Sequence, residues 1–329
     1  MATGLPLLGV TLPQFSERPG PAVEACLDAH GLGFGGVFVF DHLWPLGQPS
    51  RPALEGWTLL AALAAEVGRR PEGSGRRGRG NPGGVPRMVG ELSQGGAPVD
   101  RGGPGGFRVG TLVTRAGLRA PAMVARMAAT VGQVAGAGAI VGVGRGDLAN
   151  RAENLAYGLP FGDAAERARV LEATVAALRG PLAGTPPPDV WVGGTGPEAL
   201  ALSGRLADAW NGWARTPEEL AAGLAAVRAE AERAGRDPAT VAATWGGQVL
   251  VAADRREAAD RLARWVADRP PAEAARVVAG DPATVLARLG ALGDAGATWC
   301  VLAPVGGPGA EARALLAAAA GLPGRDRNG

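Results

Sequence analysis

The feature that most limits the fold is a regular alternation of short apolar runs with longer helical patterns. Apolar runs stand at LLGVTL (7–12), GVFVF (36–40), FRVGTLVT (107–114), AIVGVG (139–144), VWVGG (190–194), ADAWNGW (207–213), TWGGQVLVA (244–252) and TWCVLAP (298–304). Helical patterns fill 21–31, 55–67, 120–134, 163–180, 196–206, 217–234, 254–267, 282–295 and 309–320. The runs are continuously apolar, as are parallel strands covered on both faces. About eight strand–helix units in one chain predict a single α/β domain, a (β/α)8 TIM barrel, over 1–322. A flexible tail is expected at 323–329. An open doubly wound sheet is the second choice, but it would gather its glycines and polar residues at one switch point. Here they recur after many strands.

One segment breaks the pattern. Residues 68–106 are crowded with Gly, Pro and Arg, with seven Arg against three acids. Such a segment buries too little apolar surface to offset its ordering entropy, so a disordered insertion is expected. It follows a helix and precedes a strand, which hangs it from the N-terminal face of the barrel, away from the chemistry. No aromatic residue punctuates its arginines, which argues against a nucleic-acid-binding arm. The formal net charge of +2 argues the same for the whole chain. The chain has no lysine, so lysine Schiff-base chemistry is excluded and any anion must be held by Arg or backbone N–H groups. Cys26 and Cys300 fall in a helical and a strand pattern and are expected as core residues. With His30 and His42 as the only imidazoles, no metal site is expected. The first residues lack the basic region of a signal peptide, and no apolar run approaches a membrane span, so the expected protein is soluble and cytoplasmic.

In a barrel, residues that follow each strand converge on one mouth. The polar residues sort by this rule. Asp41, His42 and Trp44 follow the second run, and Thr114 and Arg115 end the third. Arg145, Asp147 and Asn150 follow the fourth in GRGDLAN, and GGTGPE, from Gly193 to Glu198, follows the fifth. Asp41-His42 reads either as a loop pair or as a functional pair, and GVGRGD as a tight turn or a site. Glycines before a helix start let backbone approach an anion, at which the helix directs its free N–H groups. Of Trp191, Trp210, Trp213, Trp245 and Trp299, most are expected in the core and one or two as walls for an aromatic ligand. His30 is expected as a helix-end contact.

These pieces resemble the luciferase-like monooxygenase superfamily, in particular its branch of oxidoreductases dependent on coenzyme F420, a deazaflavin. The resemblance rests on the order and spacing of GVTLPQF, FDHLW, EGWTLLAALAAEV, FRVGTLVTRAGLRAPAMVARMAATV, IVGVGRGD, YGLPF and DVWVGGTGPEALALSGRLADAWNGW. It implies a TIM barrel with the coenzyme across its C-terminal mouth. It implies that Asp41 helps to hold the coenzyme and that His42 is the acid/base on the substrate oxygen. A non-proline cis peptide is implied at Leu112-Val113, beside Thr114, behind the ring. Arg145, Gly146, Asp147 and Asn150 match a Gly-x-Gly-acid turn, and Gly193, Gly194, Gly196 and Pro197 match the turn that receives the coenzyme phosphate. The sugar-phosphate enzymes of the branch carry Glu where Asp147 stands, and use lysines that this chain lacks, so glucose-6-phosphate is not expected as substrate. A homodimer is implied.

The chemistry this resemblance implies is hydride transfer between C5 of the deazaflavin and a small organic substrate, at CH–OH or at CH–CH or CH–NH groups. An imidazole titrates near neutral pH and suits the proton transfer. Asp147 would polarise His42 or act as a second acid/base. Arg145, Arg115 and Arg119 would face the anionic coenzyme. Two rival readings stand beside it: an FMN-dependent monooxygenase that uses reduced flavin and O2, and a barrel that binds without catalysis.

Overall fold

The computed structural model describes residues 4–325 except 46, 70–105, 137, 181–184, 186 and 268. The expected disorder of 68–106 therefore concerns, beyond its flanks, residues outside those described, and so does the tail at 326–329. Chain order runs β1 (Leu7–Thr11), α1 (Gly20–Gly31), β2 (Gly36–Val39), α2 (Gly56–Gly68), β3 (Arg108–Arg115), α3 (Pro121–Ala135) and β4 (Ile140–Gly144). It continues with α4 (Arg151–Ala156), α5 (Ala164–Arg179), β5 (Asp189–Gly193), α6 (Pro197–Leu206), β6 (Ala209–Trp213), α7 (Pro217–Arg233) and β7 (Ala242–Val251). Last come α8 (Arg255–Val266), α9 (Pro271–Ala274), β8 (Val278–Gly280), α10 (Pro282–Asp294), β9 (Ala297–Pro304) and α11 (Gly309–Ala320).

β1 to β7 and β9 form a closed eight-stranded parallel barrel flanked by helices, a TIM barrel. β1 pairs with β2 and β9, and β7 with β6 and β9, which closes the ring. Among the described residues the short β8 pairs only with the end of β7, at Val249–Val251. Local sequence sets the helix starts. Pro121, Pro197, Pro217 and Pro282 stand in first turns, where a missing N–H breaks no hydrogen bond. Asp163 with Glu166, and Thr216 with Glu219, form capping boxes at α5 and α7.

Strand residues alternate between two cores. Val37 and Val39 of β2, Val141 and Val143 of β4, and Val190 and Val192 of β5 face the helices. Their neighbours Phe38, Ile140 and Trp191 join Leu112, Ala209 and Val301 inside the ring. Phe38, Trp191 and Trp299 form an aromatic plug, with ring centroids 5.4–5.9 Å apart. The ring of Phe38 fits because Gly9 has no side chain; a Cβ there would lie 2.7 Å from it. Toward the strand ends the inward positions become small or polar, at Gly142, Gly144, Gly193, Asn211 and Thr244. The barrel is thus filled below and open above, at its C-terminal mouth.

Cys26 and Cys300 are buried, and burial pushes the Cys300 thiol up. His30 packs its ring edge-on to Phe107, 4.9 Å between centroids, at the end of α1. The tail is held further than expected: the Arg325 N–H donates to the Gly31 carbonyl at 2.9 Å, and its guanidinium lies 5.6 Å from the Phe107 ring. Among the described residues no helix is long and apolar enough to cross a membrane.

Candidate active site

A cleft of about 610 Å³ opens at the C-terminal mouth. β2 delivers His42 to it, β3 Leu112, Val113 and Arg115, β4 Arg145 to Asp147, β5 Gly193 to Gly196, and β6 Asn211 and Trp213. The Leu112-Val113 peptide is cis, as the resemblance implied. It lies where the pairing of β3 with β4 skips from Thr111 to Thr114. Trp213 is the tryptophan that walls the cleft, edge-on to Phe40 at 6.0 Å, whereas Trp191, Trp210 and Trp245 are buried.

His42 is paired, but not with the acid expected from sequence. Its Nδ1 lies 3.1 Å from Oε2 of Glu153, a fully buried residue of α4. The other oxygen, Oε1, accepts the Leu43 N–H and lies 3.0 Å from Nη2 of Arg115. Burial alone would raise the pKa of Glu153. Its hydrogen bonds with His42 and with the Leu43 N–H, and the Arg115 charge, outweigh burial and hold it below the usual carboxylate range. An ionised Glu153 keeps a proton of His42 on Nδ1, so that in the neutral imidazole it is Nε2 that carries the lone pair.

Asp147 lines the same cleft but serves its own turn. Its Oδ1 accepts the Ala149 N–H at 2.9 Å, and its N–H donates to Oδ1 of Asn150 at 2.9 Å, so the two residues cap the short helical turn that leads into α4. The contact that would polarise His42 thus belongs to Glu153. This turn hands the chain to α4 and brings Glu153 beneath His42.

Asp41, unlike Asp147, does not line the cleft. It is buried beneath it, where its carboxylate receives both Nη atoms of Arg119, at 2.6 and 3.1 Å, and the Thr114 hydroxyl. Thr114 is buried in turn and accepts from the Trp57 indole at 3.0 Å. Arg119 reaches Glu55, the cap of α2, at 2.5 Å. Burial would lower the pKa of Arg119, but the carboxylates of Asp41 and Glu55 raise it overall. Arg115 donates from Nε to the Asp41 carbonyl at 3.2 Å and from Nη1 to Asn154 at 2.8 Å. Two of the three arginines expected to face an anionic coenzyme, Arg115 and Arg119, are therefore engaged with protein groups, and Asp41 and Thr114 support the floor of the cleft without lining it. Gln14 ties this floor to β1: its Nε2 donates to the Phe40 carbonyl at 2.9 Å and its Oε1 accepts the Phe40 N–H at 2.6 Å.

The rim opposite His42 suits an anion. Gly194 has φ +124°, a conformation open to glycine, and the turn ends at Gly196, the cap of α6. Pro197 occupies the first turn of α6 and does not line the cleft. Arg145 is the cation of the rim, and its nearest carboxylate is Glu198 at 3.7 Å. An apolar floor at Leu112 and Val113, an aromatic wall and a Gly-rich helix start with one arginine fit a flat ring that carries a phosphate-bearing tail. Sequence reading missed Glu153. Its one trace is a lone acid in the first turn of RAENLA.

Comparison with known proteins identifies the family and the fold. A family model for luciferase-like monooxygenases matches residues 106–322, about two thirds of the chain. Phthiodiolone/phenolphthiodiolone dimycocerosates ketoreductase of Mycobacterium kansasii is 33% identical over 184 residues, 49% of each chain. Its counterpart in Mycobacterium bovis (strain BCG / Pasteur 1173P2) is 34% identical over 161 residues, 42% of each. The chain thus spans about half the length of the curated relatives it matches. Among solved structures, an F420-dependent secondary alcohol dehydrogenase in complex with an F420-acetone adduct superposes with TM-score 0.70 at 17% identity, over 96% of this chain and 98% of that one. EDTA monooxygenase from Chelativorans sp. BNC1 gives 0.70 at 14%, over 96% and 93%. The F420-dependent tetrahydromethanopterin reductase of Methanopyrus kandleri gives 0.64 at 17%, over 96% and 97%. At such identities these structures share the fold. On the family match, the chain belongs to the luciferase-like monooxygenases, a superfamily of oxidoreductases.

Proposed function

We propose that this protein is an oxidoreductase dependent on coenzyme F420, with His42 as the acid/base on the oxygen of an organic substrate. The observation that carries the reading is the His42–Glu153 pair, which sets an imidazole with a free Nε2 at the edge of a cleft built for a flat ring with an anionic tail. When bound, the deazaflavin supplies a hydride acceptor or donor at C5. In the oxidative direction Nε2 of His42 takes the proton of a substrate hydroxyl as the neighbouring C–H bond gives up its hydride and the C=O bond forms. In the reductive direction the same nitrogen returns the proton to the carbonyl oxygen. Glu153 keeps the imidazole in one tautomer and stabilises its charge once Nε2 is protonated. Leu112, Val113 and Trp213 would contact the ring, and Arg145 with the Gly193–Gly196 turn would hold the phosphodiester. Carbonyl chemistry in the relatives named ketoreductases supports the substrate oxygen.

Titration with oxidised F420 and, separately, with FMN tests the reading by fluorescence. Saturable binding of the deazaflavin alone is expected. Preference for FMN would move the protein to oxygen-dependent monooxygenation, a reading favoured by its likeness to EDTA monooxygenase. Binding of neither would make it a non-catalytic barrel. His42→Ala is expected to keep coenzyme affinity and lower kcat by about 10²–10⁴-fold. Normal turnover in that variant would remove His42 from the reaction. A homodimer is part of the proposal, and light scattering that gives a monomer's mass would overturn it.

A further inference from the structure

We propose that the substrate is a ketone or secondary alcohol bearing an extended apolar chain, and that this chain runs from His42 into a second cavity between α1 and α11. The proposal rests on the function just proposed and names its substrate class. The second cavity has a volume of about 1000 Å³ and shares Phe15, Phe40 and Trp213 with the His42 cleft, so three aromatic side chains form the threshold between the two spaces. Beyond them its wall is largely aliphatic, from Leu12 at the end of β1 to Ala25 on α1 and Ala310 on α11.

The charges in this cavity select against an anionic substrate. Arg313 is the one cation among the described lining residues, and it is buried against Asp28, with Nε and Nη2 each 2.9 Å from Oδ2. The remaining charged lining group is the carboxylate of Glu24. A phosphate or carboxylate on the substrate would meet an acid and an already neutralised arginine. An alkyl chain would instead exchange water for aliphatic wall. Volume points the same way. Small-molecule sites run to about 1,000 Å³, and a substrate of three or four carbons would leave this space unfilled. The division of labour is then simple: the rim at Arg145 belongs to the coenzyme side of the mouth, and the largely apolar cavity to the substrate side.

The test is a series of methyl ketones from 2-butanone to 2-decanone, with the matching 2-alcohols, assayed with F420. kcat/KM is expected to rise about fourfold per buried methylene until the cavity is filled. Ala310 is exposed at the rim of the cavity, so Ala310→Trp narrows it without disturbing the core. That variant is expected to lower kcat/KM for 2-decanone more than about tenfold relative to 2-butanone, the loss of roughly two buried methylenes. Calorimetric titration of the same compounds into coenzyme-free protein separates the two claims. Affinity that grows with length, without turnover, keeps the apolar channel and overturns the redox reading. Turnover that is flat with length, and unchanged in its length dependence by Ala310→Trp, overturns the channel alone and leaves that cavity to another occupant, such as a second copy of this chain.

Discussion

At the residue scale the site turns on which carboxylate is free to act. Asp41, Asp147 and Glu153 all lie near His42 in the fold, yet their hydrogen bonds give them different work. Asp41 is tied to Arg119 and Thr114, and Asp147 to the Ala149 N–H, so Glu153 alone reaches the imidazole. The two acids in contention are separable by experiment. Asp147→Asn keeps a capping oxygen, since Asn and Asp cap about equally well, and is expected to leave kcat within about threefold of wild type. Glu153→Gln removes the charge that faces both His42 and Arg115. Breaking a buried ion pair by removing one partner costs about 3–5 kcal/mol, so a fall in thermal midpoint should accompany the fall in kcat. The pH profile of kcat separates the effects, because loss of structure alone would lower its height without moving its inflection. A profile that keeps its inflection in Glu153→Gln would show that the acid only supports the fold.

At the scale of elements, the cleft exists because β4 and β5 present glycine where β2 presents an aromatic ring. A Cβ on Gly144 would stand 2.7 Å from Cγ2 of Val113, and one on Gly193 would stand 3.2 Å from its Cγ1. Val113 is thus backed by two strands, and its one direction of escape is into the cleft. Gly144→Ala is therefore expected to weaken coenzyme binding roughly tenfold, within the usual 1–3 kcal/mol of overpacking, while kcat at saturation changes less. Equilibrium titration of the variant checks this, and unchanged affinity would mean that the ring does not rest on Val113. These strands were readable in the sequence because both faces of each are covered: continuous apolar runs and Pro or capping residues at helix starts marked most elements within two residues. α4 was not readable. Its six residues, RAENLA, bury only Glu153 and Asn154, so they carry no apolar stripe and look like loop. β8 was missed for the same kind of reason, being three residues long and paired with one strand.

At the scale of the whole molecule, the site acid is also a part of the fold's response to acid. Proximity of polar residues at strand ends was legible, because parallel topology alone brings them together. Pairing was not legible, because it depends on side-chain reach between segments more than a hundred positions apart, as with His42 and Glu153. That pairing has a consequence for stability with a definite sign. Burial pushes Glu153 up, but its hydrogen bonds and Arg115 bring its folded pKa below the unfolded carboxylate value, which is about 4.3. The folded state therefore binds fewer protons than the unfolded state as pH falls into this range. The stabilisation from Glu153 is complete above about pH 4.3 and is lost as pH drops through the folded value. Glu55 is shifted in the same direction, where burial is outweighed by its hydrogen bonds with Thr58 and Trp57 and by Arg119, so the floor beneath the cleft weakens over the same window. The thermal midpoint should be nearly flat from pH 7 to 5 and fall steeply below about pH 4. In Glu153→Gln the midpoint starts lower and falls less steeply, because one titrating group has been removed. Scanning calorimetry of both proteins across this range decides the matter: curves that run parallel down to the lowest pH would mean that Glu153 is equally protonated in both states and that its ion pair with Arg115 does not hold the floor together.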